Sequence, residues 1–115
     1  MRCLIIDDSE DFLASATRLL DSQGLQVVGC ASTGEEATRL VRELSPDVAL
    51  VDVELGEEDG IALADELVVL APGTRIVLIS SHDGNELSEL LSSSRAVGFL
   101  PKTNLGAPAI ISLLA

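Results

Sequence analysis

The run Val48-Ala49-Leu50-Val51-Asp52 is apolar on four consecutive residues and then stops on a carboxylate. A strand with one wet face alternates apolar and polar side chains; a run with no polar side chain reads as a strand covered on both faces. The acid at its end marks where the chain leaves cover. Further runs behave alike: Cys3-Leu4-Ile5-Ile6 runs into Asp7-Asp8, and Arg75 to Ile79 runs into Ser80-Ser81. Leu25 to Cys30, rich in Val, reads as another strand, and Val97 to Leu100 as a fifth, followed by Pro101-Lys102.

Helical patterns fill the intervals. Ser9 can cap a helix that carries Glu10 and Asp11 in its electropositive first turn. Phe12, Ala16, Leu19 and Leu20 then form its inward stripe until Gly24 stops it. Thr33 to Glu36 has the form of a capping box, and Ala37, Leu40, Val41 and Leu44 line the helix it opens, up to Pro46. An acidic loop from Val53 to Asp59 is closed by Gly60. Ile61 to Leu70 is a third helix, ended by Ala71-Pro72-Gly73, and Gly84 to Ser93 a weaker one with Leu87, Leu90 and Leu91. Pro108 suits the first turn of a last helix, Ala109 to Leu114. The alternation predicts an α/β fold: a doubly wound, five-stranded parallel sheet with helices on both faces, in a single domain over 1–115.

Composition narrows the function. The chain has 115 residues, enough for one domain, and 47% of them are apolar. Seven basic residues face 19 acidic ones, a net charge of -12 that repels nucleic acid and anionic lipid. No apolar run approaches the roughly 20 residues of a membrane span, and Met1-Arg2-Cys3-Leu4 has no signal-peptide anatomy, so the chain reads as cytoplasmic. Cys3 and Cys30 read as reduced core thiols, too far apart for a disulfide if the first two strands are parallel neighbours.

In such sheets the ligand site lies beyond the carboxyl ends of the strands. Those ends deliver Asp7, Asp8, Asp52, Ser80 and Lys102, the only lysine in the chain. Carboxylates within about 5 Å of one another repel by several kcal/mol unless a cation enters or one takes a proton. Oxygen ligands with room for water suit Mg²⁺. With Lys102 facing such a metal, the pocket fits a doubly charged oxyanion. Asp52 could attack a phosphoryl group while Ser80 bonds one of its oxygens. Each residue alone has a plainer reading: a precap for Asp7-Asp8, a turn residue for Ser80, a solvated lysine for Lys102. Their coincidence on one sheet edge is what the plainer readings do not explain.

The set Asp7-Asp8, Asp52, Ser80 and Lys102, with Gly60 eight positions after Asp52 and Phe99 three before Lys102, resembles the receiver domain of two-component response regulators. The stretch Gly98-Phe99-Leu100-Pro101-Lys102 resembles regulators with a helix-turn-helix output of the NarL/LuxR kind. The resemblance implies a flavodoxin-like strand order 2-1-3-4-5. It implies a phosphorylation-dependent switch, not a turnover enzyme, in which Asp52 takes a phosphoryl group from a sensor histidine kinase. Asp8, Asp52 and the backbone carbonyl of Glu54 would ligate Mg²⁺, with Asp7 acting through water. Lys102 would contact the phosphoryl group, Ser80 would move toward it and Phe99 would turn inward. The output face would then change and regulate a downstream, transcriptional response. Glu54 and His82 hold positions that tune dephosphorylation in the family.

Two departures stand out. Family members often carry Pro four positions after the acceptor, where this chain has Gly56, which predicts a more mobile loop. A Pro commonly follows the lysine, where this chain has Thr103, so a cis peptide there need not form. Apolar Ile110, Ile111, Leu113 and Leu114 leave surface to cover, favouring an output domain over a stand-alone receiver. Few basic residues on the last two predicted helices argue against a constitutive dimer, leaving one that forms on phosphorylation.

Other functions compete. A phosphatase of the haloacid dehalogenase type also uses an aspartate after an apolar strand, but wants Asp where Glu54 stands and its metal-binding acids downstream. Flavodoxin-like cofactor binding wants Ser, Thr and Gly where Asp7-Asp8 would repel phosphate. An unphosphorylated interaction module would not need the full acidic set with Lys102.

Overall fold

A computed structural model describes residues 1–81 and 92–115. In chain order these form β1 (Arg2–Ile6), α1 (Glu10–Ser22), β2 (Gln26–Ala31), α2 (Gly34–Leu44), β3 (Val48–Asp52), β4 (Glu54–Leu55), β5 (Glu58–Asp59), α3 (Gly60–Leu70), β6 (Arg75–Ser80), β7 (Gly98–Pro101) and α4 (Ala107–Leu114). The main sheet runs β2-β1-β3-β6-β7 with every pairing parallel. With the small β4–β5 hairpin set aside, that is the expected order 2-1-3-4-5. The helix expected over 84–93 falls, apart from its last two residues, outside the described residues, as does His82.

Strand alternation splits the core into two layers. Leu4, Ile6, Ala49, Val51, Ile76 and Leu78 pack with α2 and α3. Cys3, Ile5, Val48, Leu50, Val77 and Ile79 pack with α1 and α4. Leu4, Ile5, Ile6, Leu50 and Ile79 have no exposed surface, and each such side chain contributes about 1.5–3 kcal/mol. The unbroken apolar strands are thus explained: both faces are covered. None of the described helices is long and apolar enough to cross a membrane.

Local chemistry sets most boundaries as expected. Ser9 accepts the Phe12 N–H at 3.3 Å, Thr33 accepts the Glu36 N–H at 3.2 Å, and Gly24 leaves α1 with φ 91°. Several details differ. Glu36 reaches past Thr33 to accept the Ser32 N–H at 2.9 Å, one residue beyond a capping box. Leu19 is 38% exposed, because Ala16 and Leu20 share the buried line of α1 and Leu19 stands about 100° away from it. β2 runs to Ala31, whose carbonyl accepts the Asp7 N–H at 2.9 Å. β7 is shifted to Gly98–Pro101, where Pro101 is tolerated at the end of an edge strand. α4 begins earlier, at Ala107, whose N–H donates to Gln23 Oε1 at 2.7 Å.

The acidic stretch after β3 is not an irregular loop. Glu54 pairs with Asp59 and Leu55 with Glu58, leaving a two-residue turn of Gly56-Glu57. Gly56 has φ 60° while Glu57 is not in the positive region. Glycine first in a two-residue turn is the type II′ pattern that matches strand twist. Both cysteines are free, and Cys30 lies beside Ile5 rather than Cys3. Burial, then the nearby Cys30 and Asp21, push the Cys3 thiol up to about 12, as an inert core thiol requires.

Candidate functional site

The carboxyl ends of β1 and β3 are adjacent, with Ile6 beside Val51, so Asp7 and Asp52 are delivered side by side. One carboxylate oxygen from each of Asp7, Asp8 and Asp52 lies within 4.8 Å of the others. Asp7 and Asp52 are buried, whereas Asp8 is exposed at the rim. Each buried acid has one oxygen held by a backbone N–H: Ser9 donates to Asp7 Oδ1 at 2.9 Å, and Glu54 donates to Asp52 Oδ1 at 3.0 Å. Their second oxygens meet Lys102, whose Nζ lies 2.6 Å from Asp7 Oδ2 and 3.3 Å from Asp52 Oδ2.

Lys102 donates a hydrogen bond to Asp52 and approaches the fully buried Asp7 Oδ2 more closely still, as a tight ion pair. Lys102 itself stands at the start of a single 3₁₀ turn, Lys102–Asn104, directly after β7.

These placements set the protonation states. Burial drives the Asp52 pKa above its ordinary value; the Glu54 N–H works against that, the Asp7 charge adds to it and Lys102 opposes it, with burial winning. Burial also disfavours the Lys102 ammonium, but Asp7 and Asp52 together outweigh it and hold its pKa above the ordinary lysine value. The lysine is a committed cation, and Asp52 is a carboxylate under electrostatic pressure.

Gly60 matters to this geometry. A Cβ there would overlap the carbonyl oxygen of Asp52, and the Gly60 N–H donates to the Val53 carbonyl at 3.0 Å. Gly56 carries the turn over Asp8: a Cβ built on it would lie 3.6 Å from Asp8 Oδ2. Glu54 is exposed at the start of the hairpin. Ser80 is buried at the end of β6, beside Pro101 and one residue past Ile79, the partner of Asp52. Phe99 is half-buried and packs on the core layer of α2 and α3. No cis peptide occurs among the described residues, so Lys102–Thr103 is trans.

Phe12 is a neighbour that sequence reasoning treated only as helix stripe. The Lys102 ammonium lies 4.3 Å from the centroid of its ring. The available signal was position: Phe12 is the first apolar residue of α1 and so falls in the turn nearest the carboxyl ends of the strands.

The donor set fits a divalent cation. It is all oxygen, and three carboxylates within 4.8 Å of one another face the Lys102 ammonium, which leaves excess negative charge for a cation to meet.

Residues 3–113 match the family model described as the response regulator receiver domain. The chain belongs to the response-regulator receiver family. It is 33% identical over 103 residues to the response regulator GacA of Pseudomonas aeruginosa, covering 89% of this chain and 48% of that protein. A protein-glutamate methylesterase/protein-glutamine glutaminase of Vibrio parahaemolyticus is 33% identical over 105 residues, 89% of this chain and 28% of its own. This receiver therefore spans about half or less of the curated relatives it matches. Among solved structures, a LuxR-family two-component response regulator from Aurantimonas sp. SI85-9A1 superposes with a TM-score of 0.82 at 27% identity, over 96% of this chain and 79% of that one. A response regulator from Burkholderia pseudomallei, described with a phosphorylated aspartic acid, calcium ion and citrate, gives 0.84 at 26%, over 99% and 66%. Membership in the receiver family sets aside the phosphatase and the flavodoxin-like cofactor binder.

Proposed function

We propose that this receiver is a phosphorylation-dependent switch whose acceptor is Asp52. The observation that carries the reading is the pairing of Asp52 Oδ2 with the Lys102 ammonium at 3.3 Å, while Oδ1 is tied to the Glu54 N–H. A carboxylate with one oxygen fixed and the other facing a cation is oriented for in-line attack. Asp52 Oδ2 forms the new O–P bond as the N–P bond of a kinase phosphohistidine breaks, and the released imidazole takes up a proton. Lys102 follows the charge onto the phosphoryl oxygens, and Asp7 keeps the ammonium in place by its closer contact. Mg²⁺ at Asp8, Asp52 and the Glu54 carbonyl, with Asp7 behind water, would neutralise charge on the transferring group.

Ser80 is proposed to bond the phosphoryl group and Phe99 to reorient with it, changing the face around β7 and α4 that partners read. Glu54 and His82 are proposed to tune phosphoryl lifetime. The partners are a sensor histidine kinase, an output domain and, on phosphorylation, a second copy. The LuxR-family neighbour supports an output of the NarL/LuxR kind; the output proposed is a helix-turn-helix acting on transcription in the cytoplasm, while this acidic domain itself contacts no nucleic acid or membrane. The methylesterase relative supports a second reading, in which the same switch governs an enzymatic output; fusing or co-purifying the rest of the protein distinguishes them by DNA retention or ester hydrolysis.

The test is incubation with Mg²⁺ and a small phosphoryl donor, followed by intact-mass measurement. One added phosphoryl group that disappears in Asp52→Asn and without divalent cation is the expected result. Equal uptake by Asp52→Asn overturns the assignment.

A further inference from the structure

Lys102 has a contact that the acids do not supply. Its ammonium stands 4.3 Å from the ring centroid of Phe12, within the range of an attractive cation–π contact. Phe12 and the acids are built by one turn of chain. Asp7 Oδ1 accepts the Ser9 N–H at 2.9 Å, and Ser9 Oγ in turn accepts the Phe12 N–H at 3.3 Å. The bond that orients Asp7 therefore also sets the cap of α1 and the height of the ring. Phe12 is half-buried against the core layer of α1 and α4, where leucine would also make apolar contact. What leucine lacks is a π face.

We propose that Phe12 is a positioning residue for Lys102, a third contact that, with Asp7, holds the ammonium beside Asp52. This rests on Asp52 being the phosphoryl acceptor. The ammonium is already nearer to Asp7, at 2.6 Å, than to Asp52, at 3.3 Å. When Asp52 becomes an acyl phosphate, the charge Lys102 must meet moves outward onto the phosphoryl oxygens. Attraction to a ring does not depend on the charge of either acid, so it persists through that change. The ring also covers part of an ammonium that keeps only 18% of its side chain exposed, strengthening its remaining electrostatic contacts.

The experiment compares the wild-type chain with Phe12→Leu and Phe12→Tyr. Phosphorylation by a small donor at saturating Mg²⁺ is expected to slow about three- to tenfold in Phe12→Leu at saturating donor, and to recover in Phe12→Tyr. The second readout exploits the single lysine. With ¹⁵N-lysine labelling, the sole ammonium signal is expected upfield in the wild type and Phe12→Tyr, and displaced toward the free-lysine position in Phe12→Leu. Circular dichroism checks that the variants fold. A Phe12→Leu chain with wild-type rate and an unmoved lysine signal overturns the proposal. If the wild-type chain takes up no phosphoryl group, the acceptor reading fails, and the lysine signal alone then decides the Phe12 contact: ring-shifted upholds it, unshifted overturns it.

Discussion

At the scale of single residues, the site is a balance of charge held slightly unfavourable. Asp52 has its pKa raised by burial first and by Asp7 among the smaller causes. A carboxylate whose folded pKa lies above its unfolded one stabilises the fold only below the unfolded value, and that contribution is lost as pH rises through the folded pKa. At neutral pH the ionised Asp52 thus costs stability. Asp52→Asn is expected to melt a few degrees above the wild type at pH 7, with the gap closing toward pH 4; a thermal scan across pH checks it. Lys102 runs the other way. Its raised pKa stabilises the fold throughout the neutral range and is lost only above the ordinary lysine pKa. Lys102→Ala leaves Asp7 and Asp52 facing each other without a cation. It is expected to cost about 2–3 kcal/mol in urea unfolding, less than a fully buried broken pair because Lys102 reaches solvent. Most of that loss should return on adding Mg²⁺. The acids and the lysine were legible in the sequence because strand ends are legible: an apolar run that stops on Asp names its own terminus. The Phe12 contact was not, because an aromatic at helical spacing reads as core whether or not a cation stands over its ring.

The elements around the site are joined by an acidic hairpin with two firm anchors. Gly56 turns it at φ 60°, and Glu58 accepts the Gly34 N–H at 3.1 Å with each carboxylate oxygen, placing negative charge on the first turn of α2. Proline cannot adopt a positive φ, so Gly56→Pro, the residue common elsewhere in the family, is expected to open the hairpin. The expected cost is about 1–3 kcal/mol, read from the urea midpoint. Gly34→Ala would put a Cβ 2.6 Å from Glu58 Oε1 and push that side chain off the helix. Because the carboxylate can swing away, the expected loss is only about 0.5–1 kcal/mol. Glu58→Gln should match it, and urea unfolding of both checks the link. The helices were readable from caps and stripes such as Ser9 with Ala16 and Leu20. The hairpin was not, since two-residue strands carry no periodicity and a Gly-Glu turn among acids looks like solvated loop.

Across the whole molecule, sequence and structure agree on architecture because the parallel sheet forces it. Strands apolar on both faces need helices above and below, and right-handed crossovers leave few strand orders. The same topology gathers acids from β1 and β3 with the lysine after β7, residues up to 95 positions apart in the chain. What the topology does not relieve is charge. At a net -12, like charges crowd where Asp7, Asp8 and Asp52 meet, offset by Lys102 alone among the described basic side chains. Millimolar Mg²⁺ is expected to raise the melting temperature of the wild type well beyond an equal ionic strength of NaCl, and to lose that excess in Asp8→Asn. The acyl phosphate proposed for Asp52 is itself directly readable. Borohydride reduces an aspartyl phosphate to homoserine, so peptide mapping after phosphorylation and reduction locates the acceptor. Homoserine at position 52 alone is the predicted result; homoserine at Asp7, at Asp8 or at none of them contradicts it.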